Sequence, residues 1–98
     1  MKFLPIRSHE DLEKTKIPSV SLQTKVALKR AAFNFDRSKE NVRYFQDYVV
    51  DFTNMKEFLI KDGLKPVCNQ RLGQVGIIVD NNTVYRASLK TIVSLLES

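Results

Sequence analysis

Tryptophan is absent from this chain, and cysteine and histidine occur once each, as Cys68 and His9. A lone cysteine closes no internal disulfide, so the expected setting is a reducing compartment, cytoplasmic with the nucleus also open. Zinc takes three or four Cys, His or carboxylate ligands at close spacing, which one His and one distant Cys cannot supply. No metal and no other cofactor is expected. Glycine and proline are scarce, three of each, and no repeat, Gly/Ser linker or low-complexity tract divides the chain. Long hydrophobic runs are missing too. The apolar patch at Phe3-Leu4 is broken by Pro5, too short for a signal peptide, and nothing approaches the roughly 18 apolar residues of a membrane helix. Glu10, Asp11 and Glu13 put acid where an organelle presequence avoids it. A soluble protein with no membrane contact is the expectation.

What is present suits an ordinary globular domain. The 98 residues are 43% hydrophobic and 28% charged, enough for one core and not for two. The net charge is +5, and residues 1–46 carry the whole surplus, ten Lys/Arg against five Asp/Glu. Such a bias attracts an anionic partner, whether DNA, RNA or an acidic protein face, and says nothing about fold.

Residues 1–20 read as an N-terminal arm with one short helical turn, capped by Ser8 with Asp11 following and ended by Pro18. Residues 21–98 read as a single helical and hairpin domain. A first helix is expected over Leu22–Phe35, starting at Ser19 or Ser21. It has two apolar faces, one of Leu22, Val26 and Phe33, the other of Leu28, Ala31, Ala32 and Phe35, as a helix central in a bundle has. Lys25 and Lys29 share a stripe between them, with Arg30 on another side. A second helix, capped by Asp36 or Ser38, carries Val42, Phe45, Val49 and Phe52 at core spacing, with Tyr44 and Tyr48 beside that stripe. Arg43 and Asp47 are placed to pair across one turn. A third helix should begin at Met55, capped by Asn54 with Glu57 in a capping box, and end at Gly63. The competing arrangement is one continuous helix over 39–62.

The period then changes. Gln74–Val79 and Thr83–Arg86 alternate as two strands of a hairpin around Asp80-Asn81-Asn82, whose asparagines tolerate a left-handed turn, and Gly76 marks a bulge or a close approach of backbones. A final helix capped by Ser88 sets Leu89, Ile92, Val93 and Leu96 on one face. With Phe58 and Leu59 these residues complete the expected core. The fold class is α+β: three helices, a β-hairpin and a C-terminal helix.

Catalytic constellations are lacking. Cys68 follows Pro66-Val67 with no base or helix N-terminus nearby and reads as a half-buried structural thiol. His9 sits in the polar arm as an exposed side chain. Asp47 and Asp51 share a helix face beside Arg43, on the wet side, rather than in a desolvated cleft. Gly73 and Gly76 make a lone GxxG with no helix after it. No enzyme is expected.

Three helices followed by a hairpin resemble the outline of a winged-helix domain, a likeness of topology alone. It implies DNA or RNA binding, in which Asn54, Lys56 and Lys61 on the third helix face nucleic acid. The stretch Lys65–Gln74 adds Lys65, Asn69, Gln70 and Arg71, side chains that neutralise phosphate and read base edges. Lys25, Lys29 and Arg30 form an alternative basic patch. The competing function is a regulatory protein–protein interaction factor, an accessory subunit or inhibitor of a larger complex, using the arm and Tyr44, Tyr48 and Tyr85 as its contact surface.

Overall fold

A computed structural model describes residues 1–98. The chain is an α+β domain of four α-helices and one four-stranded mixed sheet. In chain order these are β1 (Lys2–Pro5), α1 (His9–Lys14), α2 (Leu22–Glu40), α3 (Phe45–Lys61), β2 (Pro66–Asn69), β3 (Gln74–Ile78), β4 (Thr83–Ser88) and α4 (Leu89–Glu97), with 3₁₀ turns at Ile17–Ser19 and Val42–Tyr44. No helix is long and apolar enough to cross a membrane.

Several elements follow the expected local signals. Ser8, Ser21 and Ser88 each cap a helix by accepting the backbone N–H three residues on. Gly63, at φ +89°, ends α3, and the Leu64 N–H folds back to the Leu59 carbonyl. Gly76 supplies close approach without a bulge: a Cβ there would sit 2.7 Å from the Val84 side chain. In the β3–β4 turn, Asp80 accepts from the Asn82 N–H, and no residue of that turn is left-handed.

The order of helices and strands differs from the winged-helix outline. The expected break at Thr53-Asn54 does not occur, because α3 is continuous from Phe45 to Lys61 and both residues lie exposed within it. No helix-turn-helix can be made from one helix. The break falls earlier, at Asn41, whose side chain accepts from the Arg43 N–H, so Asp36 and Ser38 lie within α2 rather than cap anything. Two strands lie outside the expected set. β2 carries a proline, as sheet edges do, and pairs antiparallel with β3. β1 pairs parallel with β4, giving the order β1-β4-β3-β2. Residues 1–20 are thereby built into the domain, with Ile6, Leu12, Ile17 and Val20 buried.

The core lies between the helices and one face of the sheet. Val75 and Ile77 on β3 meet Leu28 and Ala31 of α2, Tyr48, Phe52, Met55 and Leu59 of α3, and Leu89 and Ile92 of α4 within one cluster. The α3 stripe is therefore rotated from the expected one. Phe52 belongs to both, but Tyr48 is fully buried while Phe45 is 47% and Val42 83% exposed. A tyrosine can take this central place because its hydroxyl donates to the Gln70 carbonyl, satisfying the polar tip. Phe35, Phe45 and Phe52 surround its ring at 5.0–6.0 Å between centroids.

Candidate functional site

Helices α2 and α3 form an antiparallel hairpin. Asn34 donates to Asp51 at 2.5 Å midway along it. At one end, Ser21 and Thr24 hydroxyls and the Ser21 N–H all bond the Asp62 carboxylate, which holds its pKa below the ordinary value of 3.8. One side of α2, built of small and mid-sized residues (Ala27, Leu28, Ala31, Ala32), is buried against α3, α4 and the sheet. The opposite side faces outward. Leu22 is 77%, Val26 42% and Phe33 56% exposed, so the second apolar face, expected to be covered, is bare. None of the other elements packs over it.

That bare face floors a groove. One concavity of about 610 Å³ is lined by Val26, Lys29, Arg30, Phe33, Asn34, Arg37 and Asp51. A second, about 480 Å³, is lined by Leu22, Gln23, Val26, Ala27, Arg30, Asp51, Asn54 and Phe58. They share Val26, Arg30 and Asp51, and so run into one another along α2. Three cations border the groove. Lys29 pairs with Glu97 at 3.0 Å, both side chains well exposed, which is worth little in water. Arg37 lies with its guanidinium carbon 3.5 Å from the Tyr44 ring centroid and 5.1 Å from that of Phe33. Arg30 makes no ion pair.

The expected site residues have differing surroundings. Asn54 lines the α2–α3 groove. Lys56, two residues further on, is exposed and lies close enough to Cys68 for its charge to act on the thiol. Lys61 is at the end of α3 beside Asp62. Lys65 borders a separate cleft of about 600 Å³ with Lys14, Lys16, Asp62 and Asp80. Asn69 and Gln70 are engaged in structure: the Asn69 side chain accepts from the Leu72 N–H, and the Gln70 carbonyl from Tyr48. Arg71 is exposed in the turn between β2 and β3. Of the alternative patch, Lys29 and Arg30 border the groove, and Lys25 is half-buried outside it. Comparison with protein-family models, curated proteins and solved structures finds no match for this chain.

Other expected contacts are corrected. Of the tyrosines, Tyr48 is buried and offers no contact surface, whereas Tyr44, under Arg37, and Tyr85, packed on the core, are half-buried. Arg43 and Asp47 do not pair, since Lys29–Glu97 is the only ion pair. His9 is exposed but not idle, its Nε2 lying 2.9 Å from the Leu95 carbonyl oxygen and 2.7 Å from Ser98 Oγ, which ties α1 to the end of α4. Cys68 is half-buried, and desolvation pushes its thiol pKa up, opposed by Lys56. The exposed face of α2 is readable as apolar in the sequence. What the sequence does not show is that this face remains uncovered.

Proposed function

We propose that this chain is a non-catalytic protein-interaction factor, an accessory subunit or inhibitor of a larger complex, which docks through the outer face of the α2–α3 hairpin. One observation carries the reading: Leu22, Val26 and Phe33, apolar residues at helical spacing, stand exposed along a continuous groove. Single exposed apolar residues are common on any surface, but an aligned row with a cationic border is the form of a helix-binding groove. Surface of this kind costs solubility unless a partner covers it.

The test is site-specific photo-crosslinking. A photoreactive residue in place of Phe33 should give one discrete protein adduct in cells of the native host, and the purified partner should bind the purified chain. The same residue in place of Arg71 should give none. Crosslinks only to nucleic acid would refute the proposal.

Nucleic-acid binding stands as the second reading. It draws on the net charge of +5 and on Lys56, which lies by the strand leading to Asn69, Gln70 and Arg71. A winged-helix mode would need a recognition helix starting near Asn54, so this reading keeps the charges without that geometry. A salt titration against a mixed DNA and RNA pool separates the two. Phosphate contact gives a log–log slope of several units, and the protein-docking reading expects no binding.

A further inference from the structure

The groove on α2 has a length, a floor and a charge, and together they define what fits it. From Leu22 to Arg37 the helix rises about 22 Å at 1.5 Å per residue, the length of a helix of about 15 residues. Its floor is aliphatic at Leu22 and Val26 and aromatic at Phe33, with the half-buried Phe58 on the facing wall. A third helix laid between two packed antiparallel helices completes a three-helix arrangement, with anchors one turn apart meeting these side chains.

Lys29 is paired with Glu97, but the two arginines of the border are unspent. Neither Arg30 nor Arg37 uses its guanidinium in a hydrogen bond or an ion pair within the chain. The Arg37 guanidinium carbon sits over the Tyr44 ring and near that of Phe33, and none of its N–H groups is bonded within the chain, so they remain available to a carboxylate. Asp51, the one acid lining the groove, is already bonded to Asn34. Asp36, Glu40 and Asp47 lie outside both concavities.

We infer that the groove's occupant is an acidic amphipathic helix of a protein partner, its apolar face on Leu22, Val26 and Phe33 and its carboxylates on Arg30 and Arg37. This rests on the protein-docking reading above and narrows it. A second copy of the chain fits worse, because a two-fold axis through the groove would bring the arginines of both copies to one interface. Nucleic acid fits worse as well, since phosphates leave Leu22 and Val26 uncovered and only Phe33 offers a surface for stacking.

The experiment uses the full chain and two synthetic helical peptides of about 15 residues, matched to the groove by helical rise. Both carry the same Leu/Phe face, one flanked by Glu and the other by Lys, and binding is read by fluorescence anisotropy. The Glu-flanked peptide should bind and the Lys-flanked one should not. Arg30→Glu should weaken the first at least about tenfold, the loss of one charge-assisted contact, and admit the second. Val26→Asp should abolish binding of the Glu-flanked peptide. Arg30 and Val26 are surface residues, so unchanged circular dichroism and melting temperature will confirm that the variants fold.

Equal binding of both peptides would overturn the acidic partner and leave the apolar docking face intact. Binding of neither, with an oligonucleotide bound in an Arg30-dependent and salt-dependent way, would overturn both. Concentration-dependent self-association abolished by Val26→Asp would assign the groove to a second copy and overturn this inference.

Discussion

Phe45 and Phe52 stand two turns apart on α3 with the same side chain and opposite fates. Phe52 is 3% exposed within the core, whereas Phe45 packs at a tilt beside the Tyr48 ring and keeps nearly half its surface in water. Phe52→Ala should therefore cost about 3–5 kcal/mol, and Phe45→Ala only about 1 kcal/mol, in urea denaturation. Comparable losses at the two positions would mean that α3 is rotated from the orientation described. A second pair separates backbone strain from crowding. Gly63 and Gly73 both have positive φ, but a Cβ at Gly63 meets open space, while at Gly73 it would lie 2.7 Å from the Phe35 ring. Gly63→Ala should cost about 1 kcal/mol and Gly73→Ala about 2–4 kcal/mol, the excess coming from displaced packing. Equal melting temperatures for the two variants would count against that excess.

Among the elements, β1 is the most informative because its only sheet neighbour comes from the far end of the chain. Lys2–Pro5 lies parallel to Thr83–Arg86, and the Ile6 N–H extends the ladder to the Arg86 carbonyl. Deleting residues 1–5 would strip the edge of β4 and leave its N–H and C=O groups unpaired. The expected outcome is lower stability with concentration-dependent association in light scattering, since bare strand edges template pairing. A monomer of unchanged melting temperature would show that β1 adds nothing. At the start of α2, Ser21 caps the helix through Thr24 and also holds Asp62 at the end of α3. Ser21→Ala should cost about 1–2 kcal/mol, the upper part of the range for a cap, because both helix ends lose a partner. The Ser8, Ser21 and Ser88 caps are legible in the sequence, as they depend on residues three apart, whereas those expected at Asp36 or Ser38 and at Asn54 are overridden by helices that run through them. The strands β1 and β2 are not, as four residues containing a proline carry no period and acquire strand identity only from their neighbours.

For the molecule as a whole, ionisation sets the limits of stability at both ends of the pH scale. Asp62 and Asp80 have pKa values below 3.8 through hydrogen bonds to Thr24 and Ser21, and to Asn82 and Thr83, respectively. In the unfolded chain they bind protons sooner, so their stabilisation is present above about pH 4 and lost as pH falls below it. Tyr48 and Cys68 act in the opposite sense. Burial raises the Tyr48 hydroxyl from 10.0 to about 12 and raises the thiol above 9.0, so the unfolded chain releases these protons first. Stability should fall as pH rises from about 9 through 12, and Tyr48→Phe should flatten the upper part of that fall while lowering stability at neutral pH. Denaturant midpoints measured across this range check the sign, and a rise in midpoint above pH 10 would contradict it. Composition, the capped helices, the Gly63 stop and the β3–β4 hairpin are determined by the sequence itself, because each depends on neighbours within a few residues. Which apolar face of α2 is buried, the union of two expected helices in α3, and the pairing of β1 with β4 are decided only by tertiary packing. Leu22, Val26 and Phe33 have the spacing of a core stripe, and spacing records that a face is apolar without recording what lies opposite. Here the sheet and α4 cover one side of α2, and no other element packs on the other.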